Sequence, residues 1–198
     1  MTNIKTDKPN ILFIMSDQHR FDSLGCNGHP LVKTPNLDRL AARGTNFTHA
    51  FTPLPMCVPV RSSLITGQWP SHHGTVHNFD GESYKGIEPS GPSVPRVITA
   101  GGYHSYHCGR WHVRPQTTPL DYGFQEYTSD WRYAKWRKHQ GIPPCPNTGG
   151  GFGNVDPHIT GEQSSLAWQA NQVMDFLQRN EEQPDPFFIR WHMVEPHL

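Results

Sequence analysis

Two strongly apolar runs, each closing on polar side chains, limit this chain more than any other feature. Asn10-Ile11-Leu12-Phe13-Ile14-Met15 leads into Ser16-Asp17, and Pro186-Phe187-Phe188-Ile189-Arg190-Trp191-His192-Met193-Val194-Glu195 leads into Pro196-His197. Runs of this kind read as central strands covered on both faces, as in a parallel sheet. Tyr103–Cys108 and Asn46–Phe51 are further strand candidates. Helical patterns lie between them. Thr34 caps a helix that Pro35 opens, Leu37, Leu40 and Ala41 face inward, and Gly44 stops. Ser93 to Gly102 places Val94, Val97 and Ile98 on one face. Thr160-x-x-Gln163 is a capping box, and Leu166, Ala170, Val173, Met174 and Leu177 predict an amphipathic helix over 161–180 that packs on the sheet. Strands alternating with helices predict an α/β fold, a mainly parallel sheet flanked by helices.

Residues 125–160 change character. Trp131, Tyr133 and Trp136 alternate with cations, and Gly141 to Gly153 is a Pro/Gly-rich loop. The segment reads as an excursion over a site mouth that could hold a sugar or an anionic substrate. Its aromatics packed inward beneath a solvated surface is the equal alternative.

The chain has 198 residues, enough for one domain with a core. Lys+Arg and Asp+Glu both number 17, and no basic stretch suits nucleic acid. The cysteines at 26, 57, 108 and 145 form no C-x-x-C pair, so neither a structural zinc site nor a disulfide framework is expected. The polar stretch Met1 to Pro9 contains no signal-type apolar region, and no run is long enough to span a membrane. The expectation is a cytoplasmic chain without membrane contact, or a secreted or periplasmic one if a signal has been removed.

Met56-Cys57-Val58-Pro59-Val60-Arg61-Ser62-Ser63-Leu64-Ile65-Thr66-Gly67 carries the strongest chemical signal. Pro59 suits the first turn of a helix and Gly67 its far end. Cys57 then lies at or just before the helix N-terminus, where free N–H groups and the dipole favour negative charge. A buried structural cysteine is the plain alternative. A cysteine-dependent phosphatase loop is disfavoured, because it needs an arginine where this chain has Ser63. Asp17 and Gln18 fall beyond the carboxyl end of the first strand, where open α/β sheets bind ligands. Their oxygens suit a hard cation, a solvated turn being the other reading. His72, His73 and His77 fall within six residues and raise a metal reading, with ordinary loop histidines as the stronger alternative.

Cys57-x-Pro59-x-Arg61 with Leu64-x-Thr66-Gly67 resembles the signature of the type I sulfatases, formylglycine-dependent members of the alkaline phosphatase-like superfamily. Thr34-Pro35-Asn36-Leu37-Asp38-Arg39-Leu40-Ala41 is also typical of that family. Gly109-Arg110-Trp111-His112 is similar to the family's Gly-Lys-Trp-His, with Arg110 in place of lysine, and His197 matches a strand-end histidine that contacts sulfate. The resemblance implies that Cys57 is oxidised to formylglycine by a formylglycine-generating maturation enzyme. It implies a divalent cation, calcium foremost with magnesium or manganese as alternatives, held by Asp17, Gln18 and the group at Cys57. It gives catalytic roles to Cys57, Arg61, His112 and His197, and substrate contacts to Arg110 and Asn78. Arg110 keeps the positive charge as a planar fork, but it will not give up a proton as a lysine acid does.

The implied reaction is hydrolysis of a small-molecule or glycan sulfate ester by a covalent route. One hydroxyl of the aldehyde hydrate attacks sulfur and the alcohol leaves; the other loses a proton, expels sulfate and restores the aldehyde. A histidine is the expected acid for the leaving alcohol. A phosphonate monoester or phosphodiester hydrolase of the same superfamily, and a non-catalytic protein keeping the fold, are the alternatives. The resemblance covers nearly the whole chain, but only the N-terminal part of the family's catalytic domain. An incomplete fragment is therefore expected, lacking the family's later metal ligands and C-terminal subdomain.

Overall fold

The computed structural model describes residues 8–78, 86–146 and 155–197. Along the chain come β1 (Ile11–Met15), α1 (Pro35–Arg43), α2 (Cys57–Thr66), α3 (Pro70–His73), α4 (Val94–Ala100), β2 (His104–Gly109), β3 (Glu126–Ser129), α5 (Arg132–His139), α6 (Ser165–Arg179) and β4 (Phe187–His192). The strands form one parallel sheet in the order β1-β4-β2-β3. Sequence adjacency does not set that order, because parallel neighbours need crossover connections.

Alternation along the strands sorts the two faces. Phe188 joins Ile65 of α2 and Ile87, Tyr122 and Phe124 in one buried cluster. On the opposite face Tyr106, Cys108 and Ile189 pack against Val173 and Phe176 of α6. The sheet is thus a layer between helices, as the alternating pattern predicts.

Several expectations need correction. Asn46–Phe51 is not a strand: among the described residues it pairs with no neighbour, and Phe47 and Phe51 are exposed. β1 is not covered on both faces; among the described residues it is an edge strand with Leu12, Phe13 and Ile14 exposed. An apolar run states that a strand can be covered, not what covers it. The inward face predicted for α1 is likewise open, with Leu37 and Leu40 exposed. Thr34 holds the N-cap position, but its hydroxyl turns to Asp38 Oδ1 at 2.7 Å rather than to a backbone N–H of the first turn.

The capping box at Thr160 and Gln163 is present, yet it closes a separate 3-10 turn. α6 begins at Ser165, capped by the Ser164 hydroxyl, which accepts from Ala167 N. The predicted stripe of α6 is only partly inward, because Met174 faces water. The segment after 131 is a helix, α5, and β3 before it is a strand that the pattern did not announce. Of the predicted loop, residues 147–153 lie outside the described residues.

Candidate active site

The register brings Met15, His192, Gly109 and Ser129 into one row at the carboxyl ends of the four strands. Everything just beyond that row therefore shares one edge, where parallel sheets bind ligands. Backbone bonds stitch the exits together: Met193 N donates to Met15 O (3.0 Å), and Arg110 N donates to His192 O (2.8 Å). Gly109 makes that approach possible. Its φ is +92°, and an added Cβ would stand 2.0 Å from His192 O, so only glycine fits.

Cys57 is the first residue of α2, as Pro59 and Gly67 predict; Gly67 closes the helix in the left-handed conformation. Asn78 accepts from Val58 N–H at 3.0 Å through Oδ1, so its amide oxygen serves the helix start and its NH₂ is the group it can offer a ligand. The Cys57 thiol faces Asp17, with Sγ 3.7 and 3.6 Å from the two carboxylate oxygens. One turn on, Arg61 is buried. Its Nη2 donates to Asp17 Oδ2 at 3.1 Å, and its Nη1 lies 2.6 Å from His192 Nδ1. Asp17, Cys57 and His197 each present a ligand-type atom within 4.8 Å of the others. They line a cavity of about 400 Å³ with Gln18, Arg61 and Asn78.

Arg110 and His112 line a neighbouring cavity with Val194. They remain electrostatically part of the first: the charge of Arg110 acts on Cys57, and those of Arg61, Asp17 and His197 act on His112. Gln18 and His112 both sit at positive φ, 56° and 45°. Non-glycine residues hold that conformation at a cost, and such strain concentrates at functional sites. His73 does not join the site. Thr75 N donates to its Nδ1 at 3.1 Å and its Nε2 meets Ser63 Oγ at 2.9 Å, so it ties the loop to α2.

The electrostatics of Cys57 differ from what the helix start alone suggests. Burial, and then the negative charge of Asp17, raise its pKa, against the opposing pull of Arg61. An unmodified thiol here stays protonated and is a poor nucleophile. Burial, with Arg110 and Arg61, pushes His112 down to about 4, so it is a neutral imidazole at pH 7.

The donor set fits a hard cation only in part. Asp17 and Gln18 supply oxygens, as such ions require, whereas a thiol at position 57 is a soft ligand that does not suit them. An oxygen-bearing group at that position would match Asp17 and Gln18 and leave the His197 imidazole as the nitrogen donor of the cluster.

Three site residues escaped the sequence reading. His192 stands between two guanidiniums, with its Nε2 accepting from Arg190 Nε at 2.8 Å, and His107 packs edge-on against it at 5.2 Å. Arg190 and His192 are two apart on β4 and so share a face. That spacing within an apolar run was the available signal. Burial, followed by Arg190, holds both His107 and His192 well below the ordinary histidine range. The unfolded chain protonates each near pH ~6.5, whereas the folded chain does so only at lower pH. Their contribution is full above pH ~6.5 and is lost as pH falls toward the folded values. Urea midpoints should therefore drop between pH 7 and pH 5; a flat profile would show that these imidazoles are not held neutral.

Among the described residues no helix is long and apolar enough to cross a membrane. The family model Sulfatase matches residues 9–198. An arylsulfatase of Clostridium perfringens is 31% identical over 96% of this chain and 44% of its own length. N-acetylgalactosamine-6-sulfatase of Mus musculus is 30% identical over 96% of this chain and 40% of its own. The chain thus spans well under half of these relatives. The crystal structure of Ps i-CgsB in complex with k-i-k-neocarrahexaose is 26% identical with a TM-score of 0.74, covering 97% of this chain and 46% of that one. A cysteine and arginine one helical turn apart, set against an aspartate at the end of the first strand of a parallel sheet, agree with a match that runs from Pro9 to the last residue: this chain belongs to the sulfatase family.

Proposed function

We propose that this chain carries the nucleophile-bearing part of a sulfuric ester hydrolase. The observation that carries the reading is the convergence of Asp17, Cys57 and His197 over a buried Arg61 at the carboxyl edge of the sheet. The protonated thiol supports the further reading that Cys57 works as formylglycine, made by a maturation enzyme. The aldehyde supplies a nucleophile that can be regenerated after each turnover.

Asp17 and Gln18 would hold a divalent cation, calcium by their oxygen chemistry, which supplies positive charge to the sulfate oxygens. Arg61 keeps Asp17 oriented and adds positive charge behind the nucleophile. Arg110 can grip sulfate oxygens with two parallel N–H groups. His112, neutral at rest, can share a proton at the ester, and His197 stands within reach of the reacting group beside residue 57. The substrate is a small-molecule or glycan sulfate ester.

Peptide mass analysis of the protein from its native host tests the reading. The expected peptide carries residue 57 with sulfur exchanged for oxygen and two hydrogens fewer. Parallel assays should show aryl sulfate turned over faster than aryl phosphonate. An intact thiol, or a clear preference for phosphonate, would overturn the proposal.

A further inference from the structure

A second cavity, of about 600 Å³, adjoins the first and is walled by Arg110, His112, Thr117, Asp130, Trp131 and Val194. Its far wall follows from the strand order. β3 pairs with β2 through Gly109 and Ser129, so Asp130 and Trp131 leave the sheet at the same edge as Arg110, one strand further along. Neighbouring strands are about 4.8 Å apart, roughly the width of one six-membered ring.

The wall is held by its own hydrogen bonds. The Ser129 hydroxyl donates to Asp130 Oδ1 at 3.2 Å and accepts from Trp131 N at 3.2 Å, which fixes the turn. Behind it α5 is anchored: Tyr133 Oη donates to Gln163 O at 2.8 Å, and Arg137 pairs with Asp156. Of the three aromatics here, Tyr133 and Trp136 stack on each other and Tyr133 also meets Trp168. Trp131 does not follow them inward and is 83% exposed. An indole left in water on a fixed support, next to an acceptor-only carboxylate, suits a ligand with an apolar face and hydroxyl edges.

We propose that this cavity is the subsite for the leaving alcohol, and that it takes a sugar ring bearing no charge other than the ester sulfate. Its C–H face stacks on Trp131 and a hydroxyl donates to Asp130. Arg110 and His112 line this cavity and are coupled by charge to Cys57 and to Asp17, Arg61 and His197, so they hold the ring's sulfate on the side of residue 57. A plain aryl group would cover Trp131 but give the Asp130 carboxylate no donor beyond the Ser129 hydroxyl. A second sulfate or a carboxylate on the ring would meet Asp130 as a like charge.

The proposal rests on the sulfatase reading, and two readouts separate their failures. Turnover of 4-nitrophenyl sulfate, monosulfated N-acetylhexosamines and their disulfated counterparts is compared in wild type, Trp131→Ala and Asp130→Asn. Wild type should prefer the monosulfated ring. Trp131→Ala should lower the sugar-to-aryl ratio of kcat/KM about tenfold or more. Asp130→Asn should narrow the gap between mono- and disulfated sugars. Saturation-transfer NMR of the same monosulfated sugar reads binding without turnover, and its signal should disappear in Trp131→Ala. Absent turnover with binding intact sinks the reaction and not the subsite. An unchanged ratio, a wild-type preference for the disulfated ring, or binding that persists in Trp131→Ala sinks the subsite.

Discussion

Cys57→Ala is expected to abolish hydrolysis of aryl sulfate on the proposed covalent route. Turnover should fall by about 10⁴-fold or more, because the covalent route loses its only attacking group. The fold should survive. Cys57 is half-buried at the first position of α2, and among the described residues its side chain makes long sulfur contacts to Asp17. Thermal unfolding should therefore shift little, which separates lost chemistry from lost structure. Steady-state kinetics with 4-nitrophenyl sulfate, beside a melting curve, make the check. Near-normal turnover would mean that the reacting group lies elsewhere.

Arg61→Lys should be the next most damaging change. The guanidinium meets Asp17 with one nitrogen and His192 with another, and it does so almost wholly out of water. A lysine keeps the charge but offers a single point in place of a fork. It can reach Asp17 or His192, not both, and the group left behind is buried without its partner. The expected outcome is a loss of about 10²-fold to 10³-fold in kcat, the size seen when one fixed charge-stabilising donor is removed. A drop of roughly 1–3 kcal/mol in unfolding free energy should accompany it. The change should fall on kcat rather than KM, since Arg61 lies behind the nucleophile instead of against the leaving group. A variant that altered KM alone would place Arg61 in substrate binding.

The two effects depend on different kinds of information in the chain. Cys57 and Arg61 lie within one helix and Gly67 caps it, so local rules fixed their spacing: a proline tolerated in the first turn, an arginine one turn on, and a glycine free to take positive φ. The first and last strands were legible for the same reason, as continuous apolar runs with polar exits. Their places in the chain needed no knowledge of neighbours, but β4 stops at His192, short of the predicted end at Pro196-His197. Asn46–Phe51 shows the limit. Its aromatic and polar residues alternate as a strand's would, but a strand exists only if a partner offers its backbone, and among the described residues none does.

His192, Arg190 and Asp130 show the same limit at the site. Each reads as an unremarkable polar residue until the register sets Gly109, His192 and Met15 side by side. Only then does His192 meet Arg61, 131 positions away, and Asp130 stand beside Arg110. The sequence alone determined the α/β class, the helix that presents Cys57 and the carboxylate that ends β1, because those rest on short-range patterns of apolarity, caps and turns. The order β1-β4-β2-β3 was decided only by tertiary structure. Hydrogen bonds between parallel strands and the burial of both sheet faces depend on residues far apart in the chain, and that order turns scattered strand ends into one edge with two adjoining cavities.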